Sequence, residues 1–182
     1  MTPSAQSATD RGFTLVEILV VVLILAIAAA IVVPAIGTAA DSQVTGAASL
    51  VANDLRAARS LALTSQVPHS LVFRSDRGAY KIVEDYGGGA YASAEAVDHP
   101  VRRGEAYEVI FSRAGRMDNV AVNSVSFDGG TYVTFDAQGE PLNGAGEALA
   151  AAGTVAIQAG ECSMTVSVEA LTGRVTVART GE

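Results

Sequence analysis

This chain has one cysteine, one lysine and no tryptophan, and these low counts exclude or disfavour several kinds of structure and partner. Cys162 is the only cysteine, so an intramolecular disulfide is impossible. The chain has no tryptophan, and no stretch interleaves basic with aromatic residues, which excludes a stacking platform for single-stranded nucleic acid. From residue 41 onward, 11 basic residues (Lys81 is the only lysine) stand against 17 acidic ones, a net charge of −6. An acidic balance of this size disfavours polyphosphate partners.

Residue patterns typical of enzyme or metal chemistry are also lacking. His69 and His99 are 30 residues apart, without the spacing of metal ligands, and each adjoins a proline, so we expect both at the surface. Asp76, Glu84 and Asp85 lack the Asp-x-Asp pattern and the glycine of a calcium loop. The sequence therefore predicts a protein that is not an enzyme and that needs no metal and no cofactor.

One apolar stretch dominates the N-terminal forty residues. No polar side chain interrupts residues 18–33, and the 21 residues of 13–33 are enough to cross a hydrocarbon core of about 30 Å. Glu17 lies at the start of this stretch, where a charge costs somewhat less than the roughly 2.5 to 3.5 kcal/mol of a helix centre. We therefore expect Glu17 to have a partner. A suitable one is the amine that Phe13 would carry if the chain were cut after Gly12.

Two ordinary alternatives exist for this segment. It could be a signal anchor that happens to contain a glutamate. A cleaved secretory peptide fits less well, because residues 1–12 carry only one arginine and one aspartate and no small-x-small site ends a short apolar region. The apolar stretch is also too long for such a peptide.

The order of residues around Gly12 resembles the type III signal of type IV pilins and type II secretion pseudopilins. The matching run is Arg11-Gly12-Phe13-Thr14-Leu15-Val16-Glu17. The resemblance implies that a membrane prepilin peptidase cuts between Gly12 and Phe13 and then N-methylates Phe13. It further implies that Glu17 takes part in subunit assembly by pairing with the N-terminal amine of a neighbouring subunit.

A second helical pattern covers residues 41–66. Apolar residues step by three and four, which places them on one stripe: Val44, Ala48, Val51, Leu55, Ala58 and Ala62. Pro34 and Gly37 predict a kink or loosening before this helix, and Pro68 ends it. The stripe predicts an amphipathic helix that lies across a sheet.

Short strand patterns separated by turns follow residue 68. The expected strands are 70–74, 79–84, 108–111, 120–127, 131–135, 154–158, 164–169 and 174–178. The segment 86–97, with a glycine triplet, is expected to be a flexible loop, and 136–141 a turn. The predicted fold class is α+β. A long N-terminal helix, transmembrane in its first half and amphipathic in its second, packs on an antiparallel, β-sandwich-like C-terminal domain with strands within 69–180.

Three further runs look like GspH/FimT-type minor pseudopilins. They are Asp54 to Ala62 on the helix, Val133 to Pro141, and Leu171 to Val175. The resemblance implies a minor pseudopilin of a type II secretion system, a structural subunit of the periplasmic pseudopilus that takes part in protein export. The alternative is a FimT-like minor type IV pilin acting in pilus assembly or DNA uptake. A third possibility, a membrane-anchored periplasmic module that binds a small ligand, lacks a convergent polar cluster.

The resemblance also implies an organisation and a set of partners. Residues 1–12 are a leader peptide, 13–40 the transmembrane and assembly half of the helix, and 41–182 the periplasmic domain. The chain would cross the bacterial inner membrane once, with a cytoplasmic N-terminus. Its partners would be the prepilin peptidase, other major and minor pseudopilins through the N-terminal helix, the inner-membrane assembly platform and inner-membrane lipid.

Nucleic acid is not an expected partner. A FimT-like DNA receptor would carry a Gly-Arg-x-Arg element near the C-terminal hairpin. Here that place reads Gly173-Arg174-Val175-Thr176, so the second arginine is absent.

Overall fold

Two compact units make up the chain, one ending at Thr38 and the other beginning at Ala39. The computed structural model describes residues 13–115 and 117–180, and only the backbone of residues 30–39. The helix α1 (Leu15–Ser65) contributes to both units. Its backbone stays helical through Pro34 and Gly37, so these residues do not end it.

The first unit contains the beginning of α1. All side chains of residues 13–29, called here the apolar segment, are exposed. Over residues 13–115 and 117–180, none of the helices combines the length and hydropathy that a transmembrane segment requires.

The second unit packs α1 with two antiparallel sheets. In the described part of this unit the strands are β1 (His69–Phe73), β2 (Ala79–Glu84), β3 (Glu108–Ile110), β4 (Val120–Ser126), β5 (Tyr132–Phe135), β6 (Pro141–Leu142), β7 (Gly153–Ala159), β8 (Cys162–Val168) and β9 (Val175–Arg179). One sheet has the order β3-β2-β1-β5-β6 and the other β4-β7-β8-β9. The predicted α+β class with a helix on antiparallel sheets is confirmed.

Residues 40–65 of α1, called here the packed segment, carry the predicted apolar stripe. Its six predicted residues from Val44 to Ala62 are all 0% exposed. They belong to one core cluster with Leu71, Ile82, Val133 and Ile157 from both sheets. The helical spacing alone was enough to identify this face, because only one side of the helix is apolar.

The predicted turn needs a correction, and the predicted loop can be described in more detail. Residues 136–141 are not all turn, since Pro141 begins the two-residue edge strand β6, where a missing N–H is tolerated. The segment 86–97 contains a short 3₁₀ turn at Tyr91–Ser93 and a bridge between Val83 and Ala96. It covers part of the sheet, because Lys81 of β2 is 7% exposed and its Nζ lies 4.3 Å from the ring centre of Tyr91.

Candidate assembly site

The helix begins two residues after the predicted cleavage position. Phe13 and Thr14 are not helical, and the Phe13 side chain is 76% exposed. The Glu17 N–H donates to the Thr14 hydroxyl at 3.1 Å, so Thr14 caps α1. Gly12, the other half of the predicted cleavage site, lies outside the described residues.

Glu17 therefore belongs to a helix-capping arrangement that was not predicted from the sequence. Thr14 at the cap and Glu17 three residues later form the Thr-x-x-Glu spacing of a capping box, a signal readable in the sequence. Glu17 is also the only acidic residue of the first turn, where a negative charge is stabilised by the helix dipole by about 0.3 to 1 kcal/mol. A cut after Gly12 would put an ammonium group beside this same end, where the dipole disfavours it. The Glu17 carboxylate can offset that cost, within its own helix or for a neighbour.

The side chains of the apolar segment are exposed along its whole described length. Its large hydrophobic side chains are between 44% exposed, at Val20, and 82% exposed, at Leu15. They point to all sides of the helix rather than to one stripe, in contrast to the packed segment. Large exposed apolar surfaces often mark the places where a protein contacts other molecules.

A second carboxylate on the same helix was not singled out from the sequence. Asp54 is 5% exposed and accepts hydrogen bonds from the hydroxyls of Tyr80 at 2.6 Å and Tyr107 at 2.9 Å. Burial raises the pKa of Asp54 above its usual range, while the two tyrosine hydrogen bonds act in the opposite direction. Asp54 stands three residues after Val51 and four before Ala58, so its place on the apolar stripe was a readable signal.

The Asp54 cluster fastens two segments of the sheet domain to α1. Tyr80 belongs to β2, and Tyr107 lies just before β3 at the end of the long connection. Desolvation raises the pKa of both tyrosines, and the adjacent Asp54 charge raises it further. Both hydroxyls therefore remain protonated donors, and the cluster is a structural anchor rather than an acid–base pair.

The histidines do not form a site. His69 is 3% exposed, so the prediction that it lies at the surface is wrong. It belongs to β1, which is paired on both sides by β2 and β5, and its Nδ1 lies 2.8 Å from the Val67 carbonyl oxygen. The His99 ring packs against the Tyr107 ring with the ring centres 4.5 Å apart and the planes tilted by 42°. Within the described ranges, His, Cys, Asp and Glu residues form no group of three or more able to hold a metal.

Solved structures define the class of fold. The chain is similar to the minor pseudopilin EpsH from the type II secretion system of Vibrio cholerae, with 9% identity and a TM-score of 0.53 over 77% of this chain and 99% of EpsH. It is similar to the type IV minor pilin FimU of Pseudomonas aeruginosa, with 20% identity and a TM-score of 0.50 over 78% of this chain and 92% of FimU. The fold is that of the type IV pilin-like proteins.

Sequence families make the assignment more specific. Residues 8–33 match the prokaryotic N-terminal methylation motif, and residues 47–181 match the family of type II transport protein GspH. The second match covers most of the chain, so the protein belongs to the GspH family. The resemblance inferred from the residues around Gly12 and in the C-terminal domain is thereby confirmed. No curated protein matches the sequence significantly.

Proposed function

We propose that this protein is a minor pseudopilin of a type II secretion system and serves as a non-enzymatic structural subunit of the periplasmic pseudopilus. The observation that carries the proposal is a methylation motif over residues 8–33 directly ahead of a GspH match over residues 47–181. The family is one of structural pseudopilins, and its N-terminal motif implies processing by a peptidase and anchoring in the inner membrane.

In this proposal, residues 1–12 are the leader, and the prepilin peptidase cuts between Gly12 and Phe13 before Phe13 is N-methylated. The start of α1 supports this assignment. Because Phe13 and Thr14 precede the helix, no helical turn has to unwind on the C-terminal side of the cut. The absence of a Cβ at Gly12 gives the peptidase close access to the backbone.

Assembly follows from the apolar segment. Residues 13–40 would hold the subunit in the inner membrane and then pack among the helices of other major and minor pseudopilins at the assembly platform. Residues 41–182 would lie in the periplasm. Glu17 of one subunit would pair with the Phe13 amine of another, since two opposite charges in an apolar setting offset part of each other's burial cost.

Intact-mass measurement of the chain tests the processing step. Expressed with a prepilin peptidase, the mature protein should begin at N-methyl-Phe13. A Gly12→Leu variant, whose side chain blocks close approach to the backbone, should keep residues 1–12 and serves as the control. A wild-type protein that keeps its first twelve residues, or is cut within 35–40, would contradict the proposal.

A minor type IV pilin acting in pilus assembly or DNA uptake is the second candidate. One observation favours it, because Arg56 and Arg59 of α1 line the same cleft as Arg174. Against it, Arg174 is already paired with Glu169 at 2.7 Å, and the domain as a whole is acidic.

A further inference from the structure

Three arginines meet in a cleft of about 260 Å³ between α1 and the turn that precedes β9. The lining residues are Arg56, Arg59, Ser60 and Leu63 from α1, and Gly173, Arg174 and Val175 from the other wall. This concentration of positive charge stands out in a domain with a net charge of −6. It lies well away in sequence from Phe13 and Glu17, and the proposed function gives it no role.

Arg59 is held in place by two glycine turns. Its Nε donates to the Gly139 carbonyl at 3.0 Å. Gly139 and Gly173 have φ values of +78° and +62°, and a Cβ on either would come within 3.0 to 3.2 Å of Arg59 Nε. The backbone thus fixes the guanidinium through Nε. Among the described residues, no hydrogen bond or ion pair engages its two terminal nitrogens.

Arg56 is positioned in a similar way. Its Nη1 donates to Asn53 Oδ1 at 3.0 Å and its Nη2 to the Val175 carbonyl at 2.9 Å. Neither Arg56 nor Arg59 has a carboxylate within 4.0 Å in the part of the chain that the structure describes. Each arginine therefore keeps N–H donors for another acceptor and lacks a counter-charge.

Arg174 differs, because it has an internal partner. Its Nη2 and Nε lie 2.7 and 3.1 Å from Glu169 Oε1, and Thr172 donates to the other Glu169 oxygen at 2.7 Å. Hydrogen bonds from Thr172 and then Arg174 lower the pKa of Glu169. The cleft and its rim thus combine three guanidinium groups with one carboxylate, which leaves two positive charges uncompensated.

A purely structural role does not account for this charge. Bonds to the Gly139 and Val175 carbonyls require only N–H donors, which a neutral amide also supplies. Cations that line one cleft repel one another, by an amount that water and salt reduce at exposed positions such as Arg56 and Arg174. An anionic ligand would remove that cost and use the free donors.

The observations favour a carboxylate as this ligand. A guanidinium fork binds a carboxylate with two parallel hydrogen bonds. A cleft of about 260 Å³ has room for acidic side chains but not for a duplex. Leu63, which is 42% exposed, adds an apolar contact for the neighbouring part of a peptide.

We propose that this arginine cleft, defined by Arg56, Arg59 and Arg174, is a docking site for an acidic peptide segment of a partner protein. The proposal rests on the proposed function only in taking that partner to be a member of the same assembly. Binding at the cleft involves neither Gly12, Phe13 nor Glu17. A chain that is not processed could therefore still bind the peptide, and a processed chain could fail to bind it.

The first test measures binding of a fluorescent Glu-Glu-Leu-Glu-Glu peptide to the full chain in non-ionic detergent at about 50 mM salt, where screening is weak. Arg56→Gln and Arg59→Gln should each weaken binding about tenfold, the scale of a lost charge-assisted contact. Arg103→Gln removes the same charge from an exposed position outside the cleft and should change affinity less than about twofold. Melting temperatures of all variants show which remain folded. If Arg59→Gln unfolds the chain, Arg56→Gln decides the test.

The second test looks for a gain in affinity, which a merely structural role would not produce. Glu169→Gln releases Arg174 from its internal carboxylate and should strengthen peptide binding about threefold, a modest share of one charged contact. Glu161→Gln, an exposed glutamate in the β7–β8 turn, matches the charge change and should have a smaller effect.

Four results would overturn the docking proposal. They are absence of peptide binding, an equal loss with Arg103→Gln, no gain with Glu169→Gln, and displacement of the peptide by duplex DNA at concentrations below those at which unlabelled peptide displaces it. The last result would identify a phosphate-binding surface instead.

Discussion

The apolar segment and the packed segment belong to one helix but follow opposite rules. Residues 13–29 are exposed on every side, whereas residues 40–65 bury one stripe against two sheets and expose polar residues on the other face. Each contains one notable carboxylate. Glu17 is exposed near a helix start, while Asp54 is buried between two tyrosine hydroxyls.

The comparison shows that the two segments of the helix have different surroundings. The packed segment finds its partners within its own chain, so it stabilises the domain. The side chains of the apolar segment are exposed, and in the proposed function this surface and Glu17 contact other molecules. Substitutions in the two segments should therefore affect different measurements.

The largest expected effect is on the packed segment. Leu55→Asp would place an unpaired charge at a fully buried position and should cost at least about 3 kcal/mol, which unfolds the domain or lowers its melting temperature sharply. Leu23→Asp, on the exposed apolar segment, should leave the melting temperature of the sheet domain unchanged. Circular dichroism melts of both variants in detergent make the comparison. Equal melting temperatures for Leu55→Asp and the parent would mean that the helix does not pack as described.

A smaller effect is expected from the buried carboxylate. The pKa of Asp54 is higher in the folded chain than in the unfolded chain. The contribution of Asp54 to folding stability is therefore fully present below the unfolded pKa and is lost as the pH rises through the folded pKa. Between about pH 7 and pH 4, the melting temperature of the parent should therefore rise relative to that of Asp54→Asn as the pH falls.

Asp76 is the control for this pH dependence, because its pKa is shifted the other way. It is exposed, and a hydrogen bond from Arg74 holds its pKa below the usual range. With the melts extended to about pH 2, the parent should therefore lose stability relative to Asp76→Asn as the pH falls through that lowered pKa. The same slope for both variants would refute the role given to burial at Asp54.

The smallest expected effect concerns DNA. The full chain should give no electrophoretic mobility shift with duplex DNA at about 150 mM salt and micromolar protein, since its acidic domain offers few phosphate contacts. Micromolar or tighter binding that is lost with Arg174→Gln would instead favour the DNA-uptake pilin.

Most of the fold could be predicted from periodic patterns in the sequence. The stripe of the packed segment and most strands depend on spacing within a few residues, so they were predictable. His69 was misplaced because its neighbour Pro68 indicates a turn, whereas its burial comes from strands paired on both sides. The arginine cleft was missed because Arg56 and Val175 meet across 119 residues of sequence, and no local pattern records such a contact.

The sequence contains signals for the candidate assembly site, but only some of them led to a prediction. Gly12, Phe13 and Glu17 were singled out because a charge stands at the start of an apolar run. The cap by Thr14 follows from the same few residues, yet its meaning depends on where the helix begins. The proposed pairing of Glu17 with another subunit would involve a second chain, so one chain by itself does not contain it.

Cross-linking between this chain and partner pseudopilins in membranes tests the assembly role of the apolar segment most directly. Glu17→Ala should leave processing and insertion intact, because removing a charge eases insertion, but should reduce cross-linked product to about a tenth or less. Thr14→Ala, which removes the helix cap while keeping the carboxylate, should retain most of the product. Equal yields from Glu17→Ala and the parent, or an equal loss with Thr14→Ala, would contradict a pairing between Glu17 and a neighbouring subunit.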